Sequence, residues 1–240
     1  MGNIFSLDSP FFRVCSKIAD IFLLNLIFVI TSIPVITIGA SVTALHSVSM
    51  KMIKGEEGYI IRGFLKVFKE NFKQATGIYL IMALLGIIIG TDYYFWTNLT
   101  GTFATVMSAV SIGAACIWFM GLIYVFALQA TFENPVKRTL INSFLIALQQ
   151  FPVTLFLAAY YGVIIYFIIQ FFAADAFMVL YGFGLAAMGS AVLYRFALKK
   201  YIKKAQEAFE EDVLTEEGKN GTQETIPPES GKEKMNGVES

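Results

Sequence analysis

Apolar residues run in long blocks along this chain, and polar residues gather in the short stretches between them. Five blocks, at residues 18–33, 75–95, 103–128, 153–172 and 176–198, approach the length an α-helix needs to cross ~30 Å of hydrocarbon. They show neither the wet face of a soluble core helix nor the two-residue alternation of a strand. The pattern predicts an all-α, polytopic transmembrane helical bundle with five long spans. Arg13 and Lys17 before the first block resemble the charged start of a signal peptide. No Ala-x-Ala site follows in the Pro34-containing stretch, so the block reads as an uncleaved anchor.

A short sixth helix is expected next. Pro34 and Gly39 break the first span, and residues 40–53 then place Val42, Leu45, Val48 and Met52 on one stripe. The other face is small and polar, with Ser41, Thr43, His46, Ser47 and Ser49. Residues 40–53 make only ~21 Å of helix, short for a span. A face of this kind turns toward other helices or a wet cavity, not toward lipid.

Residues 59–74 follow a helical period, with Ile61, Phe64, Leu65, Phe68 and Phe72 on one side and Arg62, Lys66, Lys69 and Lys73 on the other, and run into the second long span at about Ala75. This is a basic amphipathic helix suited to an anionic leaflet or to a cytoplasmic partner. Lys137 and Arg138 open a second such helix over residues 136–151, and Pro152 starts the span after it. Phe64-Leu65…Phe72…Thr76 and Phe144-Leu145…Phe151…Thr154 have similar spacing, which hints at an internal repeat.

Charge orients these elements. All 18 lysines and arginines fall in the N-terminal segment, the segments before the second and fourth long blocks, and the segment closing and following the last block. The connections at residues 96–102 and 173–175 have none. Cytoplasmic loops hold the positive excess. With six spans every cation is inside, whereas five spans leave Arg13 and Lys17 outside, so six is preferred. Both topologies put the C-terminus in the cytoplasm, with the lipid bilayer as the protein's first partner.

Composition narrows the chemistry. The chain is 56% hydrophobic and 15% charged, less charged than soluble domains usually are. The net charge is zero, so nothing points to nucleic acid. Cys15 and Cys116 are not obvious disulfide partners, and His46 is the single histidine. No phosphate loop, HExxH, GxSxG or paired intramembrane carboxylate occurs, so neither an enzyme nor a cofactor or metal site is expected.

The polar residues at membrane depth are then the candidates for function. Asn25, Thr43, His46 and Gln170 are candidate path-lining residues, with interhelical packing as the competing role. Asp92, Trp96 and Asp175, among outer aromatic rings, could contact an oligosaccharide, with an interfacial aromatic belt as the alternative. Arg62, Lys66, Lys69, Lys73, Lys137 and Arg138 are candidate partner-docking residues. Gly86-x-x-x-Gly90, and Gly182, Ala186 and Ser190, allow close helix approach. The spans make up a domain at residues 1–204. Residues 205–240 form a hydrophilic tail, expected to be disordered from Thr215 onward.

Three stretches carry a family resemblance: Thr37-Ile38-Gly39-Ala40-Ser41-Val42-Thr43-Ala44-Leu45; Lys54-Gly55-Glu56-Glu57-Gly58 leading into residues 64–74; and Phe132-Glu133-Asn134-Pro135 followed by Lys137-Arg138-Thr139. Together with the span layout they resemble the YesL-like family of bacterial membrane proteins over about residues 5–205. The resemblance implies a multi-span inner-membrane protein of Gram-positive bacteria, associated with carbohydrate uptake of the ABC importer type. It supplies no established catalytic or binding residue. The function expected is a component of, or accessory to, a carbohydrate ABC-type importer, in contact with its permease or ATPase subunits. The alternative is a non-transporting scaffold or regulatory protein that uses the basic face.

Overall fold

The computed structural model describes residues 10–56, 58–170 and 177–223, and every regular element among them is helical. The helices are α1 (Pro10–Ser32), α2 (Ile38–Lys54), α3 (Ile60–Thr97), α4 (Thr102–Thr131), α5 (Val136–Gln149), α6 (Phe151–Gln170) and α7 (Phe183–Gln223). A 3-10 turn at Val35–Thr37 precedes α2 and a π turn at Met178–Gly182 precedes α7. Among the described residues six helical stretches are long and apolar enough to cross a membrane: Val14–Ser32, Val35–Lys54, Ile60–Thr97, Thr102–Thr131, Phe151–Gln170 and Met178–Lys203. This is a polytopic, all-α membrane protein.

The break after α1 forms where expected, and hydroxyls close it. Pro34 cannot donate an amide hydrogen to the end of α1. The Thr37 hydroxyl lies 2.5 Å from the Thr31 carbonyl oxygen and 2.6 Å from that of Pro34. The Ser41 hydroxyl donates to Thr31 Oγ1 at 3.0 Å. The first of these bonds gives the Thr31 carbonyl, at the end of α1, a donor, and together they tie the turn back to α1. Leu24 and Phe28 of α1 share a core with Leu45, Val48 and Met52 of α2, as in an antiparallel hairpin. Lys17 therefore sits at the same end of this hairpin as Lys51 and Lys54.

The short helix is longer than the expected residues 40–53, because the 3-10 turn and Ile38–Gly39 extend it at the start. At its other end Gly55 takes φ 73°, a left-handed conformation suited to glycine. Gly55 N–H bonds to the Met52 carbonyl and Glu56 N–H to the Lys51 carbonyl at 3.0 Å, a paired helix stop.

The amphipathic segment continues into the second long span, as expected. It runs without a break into the span as the first half of the 38-residue α3, ~57 Å long. Its buried face, Ile60, Phe64 and Val67, packs in the core with Leu45, Val48 and Met52 of α2, while Arg62, Lys66, Lys69 and Lys73 stay exposed. Protein thus covers Phe64 fully and Leu65, Phe68 and Phe72 in part, while Ile61 of the same stripe stays exposed. The corresponding α5–α6 segment is interrupted at Gln150, where Thr154 Oγ1 donates to the Ala147 carbonyl at 2.8 Å. Thr76, its spacing counterpart in α3, has a buried hydroxyl with no partner. The two segments are not equivalent.

Close approaches set the packing. A Cβ on Gly39 would lie 2.4 Å from the Ala75 carbonyl oxygen and 2.6 Å from Tyr79 Cβ, so α2 and α3 cross there backbone to backbone. Gly86 faces the Trp118 indole, whose Nε1 donates to the Met82 carbonyl at 2.9 Å, joining α3 and α4. Gly90, the other half of that motif, meets nothing.

The chain divides into two compact units, residues 1–197 and 198–240. In the second, α7 stays helical through Gln223 instead of ending near Leu214; Ala, Glu and Lys are good helix formers. Residues 224–240 lie outside the described residues.

Candidate functional site

The first half of α3, the end of α4 and the start of α5 meet at the end of the bundle that carries the cations of both segments. An unbroken α3 puts Lys66, Glu70, Asn71 and Gln74 along one wall. At the other, α4 stops at Thr131, and Phe132–Pro135 leads extended into α5, whose first turn Pro135 precedes with φ −63°. The walls enclose a cleft of about 760 Å³.

Side-chain amides hold it open. Gln129 Nε2 donates to Asn71 Oδ1 at 2.9 Å, and Thr139 Oγ1 donates to Gln129 Oε1 at 3.3 Å. Asn71 Nδ2 in turn donates to its own Val67 carbonyl at 3.1 Å, and Gln74 Nε2 donates to the Asn134 carbonyl. The chain links α3, α4 and α5, with Gln129 and Thr139 buried. Buried amides satisfied this way fix geometry, because each broken link would leave an unpaired polar group.

Charge in the cleft is mixed. Lys66, Glu70 and Glu133 line it, and the Lys66–Glu70 pair is long at 3.9 Å and exposed. Such a pair contributes little to stability, and both groups are available to a ligand. Of the six candidate docking cations, Lys66 alone lines the cleft. Arg62 lies over the Tyr59 ring at 5.2 Å, and Lys69, Lys73, Lys137 and Arg138 are exposed outside it. The arrangement suits a polar surface segment with both hydrogen-bonding and charged groups, not a nucleotide phosphate.

The four candidate path residues are not gathered. Asn25 is fully buried and pins α1 to the π turn: Nδ2 donates to the Val179 carbonyl at 2.6 Å, and Oδ1 accepts Gly184 N–H at 2.9 Å. A π turn displaces the usual backbone bonds, and Asn25 answers them. Thr43 is buried and its hydroxyl donates to the Gly39 carbonyl one turn back, at 2.8 Å. Gln170 is exposed at the end of α6. His46 lines a separate cavity between α2, α3, α4 and α6.

At the far end of α3, both Asp92 oxygens are engaged. Trp96 Nε1 donates to one at 3.0 Å and the Ser111 hydroxyl of α4 to the other at 2.5 Å. Asp92 thus ties α3 to α4, and Trp96 packs edge-on against Phe103. Asp175 lies outside the described residues. Both cysteines are free, and no cluster of three or more His, Cys, Asp or Glu among the described residues is placed to hold a metal.

The cleft residues Glu70, Asn71, Gln74, Glu133 and Asn134 did not stand out as a site in the sequence. They belong to the charged strings 64–74 and 132–139, which proved to be one place in space.

The fold and cleft define a helical membrane protein with a preformed polar recess at its basic end. By comparison, residues 21–93 match the model of the family described as "Protein of unknown function, DUF624". The match runs from within α1 to near the end of α3, so it includes one wall of the cleft. No curated protein and no solved structure matches the chain.

Proposed function

We propose that this protein is a YesL-like membrane subunit accessory to a carbohydrate ABC-type importer. In this reading it lies in a bacterial plasma membrane with its basic end and C-terminus in the cytoplasm, and the cleft receives a segment of the ATPase or permease partner. One observation carries the proposal: the recess of about 760 Å³ is held open by an amide network in the free chain. Preorganisation of this kind lowers the ordering cost of binding. The scatter of Asn25, Thr43, His46 and Gln170 favours an accessory role over a conducting one. The chain has no nucleotide motif, so energy for uptake comes from the partner.

Co-purification with importer subunits from detergent extracts tests this. Glu70→Lys with Glu133→Lys should abolish partner recovery and reduce oligosaccharide uptake, while Lys69→Glu with Lys73→Glu should leave recovery largely intact. Unchanged uptake of every tested oligosaccharide after deletion, with no subunit recovered, would rule the reading out.

The exposed cations outside the cleft favour a second reading, a non-transporting scaffold held to anionic lipid. There, reversal at Lys69 and Lys73 has the dominant effect and the cleft variants are silent.

A further inference from the structure

Between α3 and α4, in the half of the span far from the cations, runs a groove of about 410 Å³. Its walls include Gly90 of α3, where an added Cβ would meet nothing, and Ser111 and Ala115 of α4. Trp118 closes one end, its indole against Gly86. Ile87, Ile88, Val110 and Ile117 beside the groove are exposed, so it opens toward lipid. From Ser111 to Phe119 the α4 wall rises ~12 Å, close to half of the ~30 Å hydrocarbon thickness. That length and lining fit one acyl chain of a single leaflet, laid along the helix axis.

The other end of the groove carries charge. Ser111 lines it there, and its hydroxyl donates to Asp92 at 2.5 Å. Helix α3 places Asp92 ~28 Å from Lys73, across the thickness of the hydrocarbon. Residues 74–136 hold no Lys or Arg, and Asp92 forms no ion pair among the described residues. Its hydrogen bonds from Trp96 and Ser111 fix the carboxylate and leave each oxygen a further lone pair. The residue is exposed. An accessible negative charge with no cation of its own thus stands at the headgroup end of an apolar groove.

We propose that this groove binds a phospholipid with a primary-ammonium headgroup, phosphatidylethanolamine, with one chain along Gly90, Ala115 and Trp118 and the ammonium on Asp92. An ammonium group donates charge-assisted hydrogen bonds to a carboxylate and supplies the missing positive charge. An anionic headgroup such as phosphatidylglycerol brings like charge to Asp92 and is disfavoured. The site lies apart from the cleft and is independent of the importer reading.

Trp118, in the groove wall, provides a probe. The full chain with Trp96→Phe has Trp118 as its one tryptophan and keeps the Ser111 bond to Asp92. It is titrated in detergent with phosphatidylethanolamine and with phosphatidylglycerol, both brominated on the acyl chains so that lipid in the groove quenches the indole. The ethanolamine lipid should quench saturably at about tenfold lower concentration, the size of one hydrogen bond to a charged group. Asp92→Asn keeps the shape without the charge and should bring the two lipids to parity. Gly90→Leu, whose side chain starts into open space, should fill the groove and weaken both. Equal quenching by the two lipids with Asp92 present, a ratio unchanged by Asp92→Asn, or quenching untouched by Gly90→Leu would overturn the proposal. So would a dimer in detergent that Gly90→Leu disperses, since a second copy would then occupy the groove.

Discussion

Helices α2 and α6 are both long enough to cross a membrane, but they are built in opposite ways. In the most apolar stretch of α2, 67% of the residues are buried by protein, against 11% for α6. The buried one is the more polar, with Ser41, Thr43, Ser47 and Ser49 all inside. The exposed one shows Leu155, Phe156, Val163 and Ile169. In lipid there is no gain in hiding a leucine from its surroundings, so helices associate through close backbone approach and polar contacts instead. A small polar helix therefore goes to the middle and a greasy one to the rim, the reverse of a soluble core.

Glycine substitutions should expose the contrast most strongly. Gly39→Ala drives a methyl into the Ala75 carbonyl of α3 and should destabilise the fold by ~3 kcal/mol. Gly162→Ala on α6 meets open space and should change little. Thermal unfolding in detergent reads both, and equal losses would show that α2 is not the packing centre.

The buried and exposed amides come next. Asn25→Leu leaves the Gly184 N–H without its acceptor and should cost ~2 kcal/mol. Gln170→Leu, on the exposed end of α6, should stay within ~0.5 kcal/mol. The same melting measurement compares them.

Within the cleft, a double-mutant cycle of Asn71→Ala and Gln129→Ala should show a coupling of about 1 kcal/mol. Additive effects would mean that the amide network does not act as a unit. The smallest effect should be that of Lys66→Ala, at most ~0.5 kcal/mol on stability, because its pair with Glu70 is exposed. A large loss there would mean that the cleft wall depends on charge more than on the amides.

Some of this was legible in the residues. The long apolar blocks became spans because length and hydrophobicity alone qualify a helix to cross. Pro34 marked the break, since a missing amide ends a helix wherever it falls. The site was less legible. Asn25, Thr43, His46 and Gln170 look alike as polar groups in apolar surroundings, yet one pins a π turn, one bonds its own helix, one lines a cavity and one is exposed. Composition and spacing do not distinguish these fates, because each depends on which neighbour faces the side chain.

The one-dimensional pattern determined that the protein is helical, where its five long apolar spans lie, and where its charge is carried, since these follow from local chemistry and helix length, while it left the short sixth helix open as a span. Tertiary structure decided that Ile60, Phe64 and Val67 bury against α2, that two distant charged strings close one cleft, and that His46 is buried edge-on to Tyr194. Those outcomes rest on contacts between residues far apart in the chain, such as Gly39 against Ala75 or Asn71 against Gln129, which no local preference specifies.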